Sequence, residues 1–96
     1  MAYVLIVRMT PREGEEDRAF ELIGQLTEAS REEPGVVHYI PHRDAENSRT
    51  FMIYEHYRDK AAFEDHGQTE HFKTLAAGEL FGLMEERERT FYETID

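Results

Sequence analysis

Cysteine and tryptophan are absent from this chain of 96 residues. Without cysteine there can be no disulfide, no thiol nucleophile, no iron–sulfur cluster and no zinc site built on thiolates. The absence also fits the reducing cytoplasm, which is where we expect the protein to reside. No apolar run approaches the ~20 residues of a membrane-spanning helix. No basic residues precede the apolar stretch near the N-terminus, so we interpret it as a strand and not as a signal peptide.

Positive charge is also scarce. The chain has 11 lysines and arginines against 21 aspartates and glutamates, which gives a net charge of −10 at pH 7. This charge argues against nucleic acid and anionic membranes as partners, because both would be repelled. It also disfavours strongly anionic ligands, unless a local cluster of arginine or lysine overrides it. Small neutral or aromatic ligands are compatible with it.

The length indicates a single domain, residues 1–96. Hydrophobic periodicity predicts four strands, at Tyr3–Met9, Val36–Ile40, Phe51–Tyr57 and Thr90–Ile95. It predicts a first helix from Glu15 or Glu16 to about Glu32, a short helix from Asp59 to His66, a second from Glu70 to Ala77, and a solvated charged connection at Glu85–Arg89. The order β-α-β-β-α(α)-β is that of the ferredoxin-like α+β fold, an antiparallel sheet with helices on one face.

Side chains that titrate near neutral pH concentrate in the middle of the chain, where all five histidines lie between residues 38 and 71. In the predicted third strand, Glu55 and Tyr57 share a face with Phe51 and Ile53. A carboxylate on such a face needs a partner or loses its charge. Glu55 therefore either orients a base or substrate, with Tyr57 donating a hydrogen bond, or is a core carboxylate tied to an arginine or a backbone amide.

His66 lies at the end of its predicted short helix, and two roles are open for it. It lies one turn after Phe63, on the same helix face, so it can lie at the edge of an apolar space and accept a proton there. Alternatively, it caps the helix C-terminus. His71 either lines a pocket mouth or caps the next helix. Phe72 is expected in the core, and Tyr39 either walls a pocket or packs across a dimer.

The histidine spacings do not indicate a metal site. His38 and His42 are four residues apart, which is about 13 Å along a strand and too far to bind one ion. His66 and His71 are five residues apart across a glycine, which is not a recognised ligand spacing. The sequence contains no glycine-rich phosphate loop, nucleophile elbow or dinucleotide fingerprint.

Several short motifs together resemble the antibiotic biosynthesis monooxygenase (ABM) domain. They are Glu33-Pro34-Gly35, Tyr39, Glu55-x-Tyr57, Ala62-x-x-x-His66 and Thr69-x-His71-Phe72. ABM proteins are dimeric α+β barrels that include cofactor-independent quinol and polyketide monooxygenases, haem-degrading enzymes and an isomerase of phosphorylated autoinducer-2. The sequence is similar to the quinol monooxygenase and isomerase branches. It departs from the family pattern at Tyr57, where many members have tryptophan, and at Ala76, where haem-degrading members have their iron-ligating histidine.

The resemblance implies a homodimeric enzyme that oxygenates a quinol or similar small phenol with O₂ and no cofactor or metal. It implies catalytic roles for His66, Tyr57 and Glu55, with His66 as the base and Tyr57 as a hydrogen-bond donor. Tyr39, Phe63, His71 and Phe72 are then expected to contact the substrate. Two alternatives stay open: an isomerase that transfers protons on a small carbonyl compound, and a barrel that binds a small ligand without catalysis.

Overall fold

The fold is built on one four-stranded antiparallel sheet. A computed structural model describes all residues, 1–96. Its strands are β1 (Tyr3–Pro11), β2 (Val36–Arg43), β3 (Phe51–Tyr57) and β4 (Met84–Glu93), and its α-helices are α1 (Glu16–Ser30) and α2 (Lys60–Gly67). A π-helical turn at Phe72–Ala77 and a 3₁₀ turn at Leu80–Leu83 precede β4. The strand order is β2-β3-β1-β4, which confirms the ferredoxin-like α+β fold.

One face of the sheet forms the core with the helices. Alternate residues of β1 and β3 point to this face, and α1 covers them with the apolar stripe that the periodicity predicts. The buried cluster includes Leu5, Val7, Met9, Ala19, Leu22, Ile23, Leu26, Phe51 and Ile53. The other face of the sheet has no helix on it. No helix of the structure has the length and apolar character needed to cross a membrane.

The last predicted strand is present, but its predicted start at Thr90 was wrong. Glu85–Arg89 does not form a connection but belongs to β4, which pairs with β1 along its length. β4 is an edge strand, so its charged side chains stay exposed to water while the backbone is hydrogen-bonded. Charged residues are common on edge strands, because they prevent pairing with further chains. A charge run alone therefore did not exclude a strand here.

The segment from Asp59 to Ala77, which includes α2, agrees with prediction more closely. Asp59 caps α2 by accepting a hydrogen bond from the Ala62 N–H at 2.9 Å. Thr69 Oγ1 accepts one from the Phe72 N–H at 3.2 Å, as expected of a cap. The helical segment ends at Ala77 as predicted, but its winding from Phe72 onward is π-helical.

Candidate functional site

An apolar cavity lies between the helix-covered face of the sheet and the helical segments. The cavity has a volume of about 70 Å³, and about 550 Å³ of space is free of protein atoms when the part open to solvent at its mouth is included. Eleven of its sixteen lining residues are hydrophobic. Five lining residues carry titratable or charged groups: Tyr39, Glu55, His66, Arg87 and Arg89. Apolar walls with a few polar groups are typical of a site for a small organic ligand.

His66 presents its imidazole to this cavity from α2. The residue is only 3% exposed, and its Nδ1 lies 2.8 Å from Glu33 Oε2. Because a carboxylate accepts hydrogen bonds, Nδ1 carries the ring proton and its N–H donates a hydrogen bond to Glu33. This tautomer leaves Nε2 free to accept a proton. The side chain is therefore bonded to a residue 33 positions away, and not to the end of its own helix.

The environment favours a neutral His66. Burial lowers the pKa of His66, and the hydrogen bond and negative charge of Glu33 oppose this effect only in part. A neutral imidazole is the form that acts as a general base.

Glu33 is the site residue that the sequence analysis did not identify. Its Oε2 also accepts a hydrogen bond from His71 Nε2 at 2.6 Å, so two imidazoles share one carboxylate oxygen. The adjacent turn explains how Glu33 reaches α2. A Cβ atom at Gly35 would collide with the Cβ of Ala62, so only glycine allows this close approach. The Glu33-Pro34-Gly35 motif was the available clue, but sequence spacing gave no indication of its partner.

Glu55 is buried in the cavity wall at 4% exposure. Burial raises its pKa to about 7, from an ordinary value of 4.5. The hydroxyl of Tyr57 donates a hydrogen bond to Glu55 Oε1 at 2.5 Å, which partly offsets the effect of burial. The hydrogen-bond partner of the buried carboxylate is therefore a tyrosine and not a backbone amide, while the charge of Arg89 lowers the pKa of Glu55 without forming an ion pair. Near neutral pH Glu55 can both give and take a proton.

Tyr57 does not belong to the cavity wall. It is 0% exposed, and its hydroxyl is already used by Glu55. Burial raises the pKa of Tyr57 well above the ordinary value, so this hydroxyl stays protonated. Its ring centroid lies 5.5 Å from that of His66, which places the tyrosine behind both polar groups of the wall. Its position suits an orienting role toward Glu55 and His66.

The other predicted contact residues divide into two groups. Tyr39, Phe63 and Phe72 line the cavity, and Tyr39 is only 3% exposed. Phe72 and Tyr39 both pack on His66, with ring centroids 5.3 Å and 5.8 Å from its imidazole. His71 is not in the wall but sits on the solvent side of Glu33, where its side chain is 21% exposed.

Glu33, His66 and His71 could hold a metal ion, because their potential ligand atoms lie within 4.8 Å of one another. Two histidines and a carboxylate are a ligand set found at zinc and non-haem iron sites. However, each imidazole donates a hydrogen bond to the same carboxylate oxygen, which accounts for the arrangement without an ion. The absence of a bound metal therefore stays a prediction.

The fold and cavity define the class of the protein as a ferredoxin-like α+β domain with a small apolar cavity. The family model described as "Antibiotic biosynthesis monooxygenase" matches residues 2–78, and the chain belongs to this family. No curated protein shows significant similarity to it.

Solved structures share the fold over nearly the whole chain. PA3566 from Pseudomonas aeruginosa is 28% identical, with a TM-score of 0.90, and the match covers 99% of this chain and 95% of that protein. Rv0793 from Mycobacterium tuberculosis is 20% identical, with a TM-score of 0.92 and coverage of 100% and 97%. A protein solved as an antibiotic biosynthesis monooxygenase is 24% identical, with a TM-score of 0.89 and full coverage of both chains.

Proposed function

We propose that the protein is a cofactor-independent monooxygenase that acts on a quinol or a similar small phenol. The observation that carries the proposal is the buried His66. It lies in the wall of an apolar cavity, and its Nδ1–H donates a hydrogen bond to Glu33. The remaining ring nitrogen, Nε2, is a base held in a fixed orientation. Membership of the monooxygenase family supports this use of the site.

The proposed reaction begins when Nε2 of His66 takes the proton of a phenolic hydroxyl. The resulting anion is electron-rich and adds to O₂ at a ring carbon, and protonation then gives a carbon-bound hydroperoxide. The carbon loses its hydrogen, the O–O bond breaks, one oxygen stays on the carbon and the other leaves as water. The substrate supplies all the electrons, so no external reductant is needed. The apolar walls favour this chemistry by excluding water from the anion.

Glu55 favours a second candidate function. Its pKa of about 7 and its place in the same wall as His66 provide two groups that can exchange protons with one bound molecule near neutral pH. Such a pair would also serve an isomerase that moves a proton on a small carbonyl compound. This reaction would consume no oxygen.

Oxygen uptake tests the proposal and separates the two functions. The purified protein is mixed with a panel of hydroquinones and anthrones in an oxygen electrode, and spontaneous oxidation is subtracted using His66→Ala protein. We expect enzyme-dependent uptake that matches product formed one to one. Proton exchange from deuterated solvent into a bound carbonyl compound, without uptake, would instead support the isomerase. Absence of both would contradict an enzymatic role.

We further propose that the protein is a homodimer, with the uncovered face of the sheet as the interface. Ile40 and Tyr92 are 39% and 51% exposed and extend an apolar patch around Val4, Ile6 and Tyr54 on that face. Two copies can pair through the same patch about a twofold axis. A domain of this size gains stability from such burial.

A further inference from the structure

Two arginines of β4 lie at the cavity and form no ion pair with a carboxylate, although the charge of Arg89 lowers the pKa of Glu55. Arg87 pairs across the sheet with Met9 and Arg89 pairs with Val7. Directly paired residues of antiparallel strands project to the same face. Met9 and Val7 are buried core residues, so both arginine side chains lie on the helix-covered face, and both line the cavity.

Four of the nine arginines, namely Arg8, Arg18, Arg49 and Arg58, form ion pairs with a carboxylate. Of the five that do not, only Arg87 and Arg89 line the cavity. No ion pair involves Arg87 or Arg89. Their neighbours Glu86 and Glu88 alternate onto the opposite face of β4, because successive residues of a strand project to opposite faces.

Aromatic rings hold both guanidinium groups in place. Arg87 Cζ lies 3.9 Å from the centroid of the Phe81 ring, and Arg89 Cζ lies 5.2 Å from that of Phe91. A guanidinium stacked on a ring keeps its N–H edges free to bind an oxyanion, and its planar fork matches the geometry of a carboxylate. The cavity therefore has two oriented cations at an apolar wall, although the protein as a whole is strongly acidic.

We propose that Arg87 and Arg89 bind an anionic substituent of the substrate, a carboxylate attached to its aromatic body. The ring system would occupy the apolar cavity beside Phe63 and Phe72, and the carboxylate would reach the arginines of β4. This inference rests on the proposed function only in taking the cavity as the substrate site. It narrows the substrate class from neutral phenols to aromatic carboxylates that also carry a phenolic hydroxyl.

Binding of a matched pair of stable compounds tests the inference without turnover. The probes are 1-naphthol and 4-hydroxy-1-naphthoate, which share a ring system and a hydroxyl and differ in the carboxylate. Calorimetric titration at low salt should show that the wild-type protein binds the carboxylate at least about tenfold more tightly, as expected for charge-assisted hydrogen bonds. The preference should shrink as salt is added.

The double variant Arg87→Gln/Arg89→Gln should lose this preference and keep its affinity for 1-naphthol. Arg58→Gln is the matched control for each single variant, because it also removes one positive charge, from an exposed site outside the cavity wall. It should keep the preference. Circular dichroism and thermal melts check that the variants are folded, and the two single variants should each lose part of the preference.

Three results would overturn the inference. They are equal affinity of the wild type for both probes, an unchanged preference in the double variant, and binding of neither probe. The outcome is independent of the proposed reaction. A carboxylate preference without oxygen uptake would support the arginine site and contradict the monooxygenase. Oxygen uptake with neutral quinols, together with equal affinity for both probes, would support the monooxygenase and contradict the arginine site.

Discussion

Replacing Glu55 with glutamine should remove a large pH-dependent part of the stability of this protein. Burial raises the pKa of Glu55 in the folded state to about 7, against 4.5 for the ordinary carboxyl. Because the folded state holds this proton more tightly than the unfolded state, the stabilisation is fully present below pH 4.5 and is lost as the pH rises through about 7. Each pKa unit corresponds to about 1.4 kcal/mol, so the raised pKa corresponds to about 3 kcal/mol.

The titration of His66 changes stability with pH in the opposite direction to that of Glu55. The pH dependence of wild-type stability therefore does not isolate the contribution of Glu55. The pKa of His66 is lowered in the folded state. Its stabilisation is therefore present above its unfolded pKa of 6.5 and is lost as the pH falls through the folded value. The difference in unfolding free energy between wild type and Glu55→Gln cancels the contribution of His66 to a first approximation and retains that of Glu55.

Urea unfolding between about pH 4 and pH 8 measures this difference. We expect wild type to lose about 3 kcal/mol relative to Glu55→Gln across this range. Glu28→Gln, which changes an exposed residue of α1, is the control for removal of one carboxyl. A difference that stays constant within about 0.5 kcal/mol would refute the reasoning, because Glu55 would then titrate alike in both states.

The remaining predictions concern the base, its partner, the assembly and cofactors. His66→Ala should lower turnover about 10²–10⁴-fold while the fold and dimer persist. His56→Ala, which changes a residue on the uncovered sheet face, should have little effect on turnover. Full activity of a folded His66→Ala protein would exclude His66 as the base. Glu33→Gln should lower kcat and move the acidic limb of its pH profile to lower pH, because Glu33 raises the pKa of His66; an unmoved profile would contradict this coupling. Light scattering should give the mass of a dimer at micromolar concentration, and a monomer that persists at high concentration would contradict it. Elemental analysis and absorption spectra should show no stoichiometric metal, flavin or haem, and bound metal would instead point to Glu33, His66 and His71.

Local patterns were sufficient to predict the fold and part of the site. The alternation in β3 predicted that Glu55 is buried beside Phe51 and Ile53, since the period of a strand fixes which residues share a face. The spacing of Phe63 and His66 on α2 likewise predicted two residues that line one cavity. Both inferences use relations within a single element.

Relations between elements could not be predicted in this way. Glu33 meets His66 only because a turn packs against α2, and no periodicity links residues 33 positions apart. Arg87 and Arg89 could be assigned to the cavity only once β4 had paired with β1 in register. The charge of −10 also hid these arginines, because a net charge contains no information about where the rare cations lie.

The contact between Gly35 and Ala62 has a consequence for attempts to redesign the site. Two of the smallest residues meet at the point where the Glu33 turn touches α2, so the orientation of the imidazole depends on how closely two backbones approach. Enlarging either residue would push the turn away from the helix and lengthen the bond from His66 to Glu33. The cavity is therefore more safely reshaped from the β4 side, where changes to exposed side chains leave this backbone contact intact.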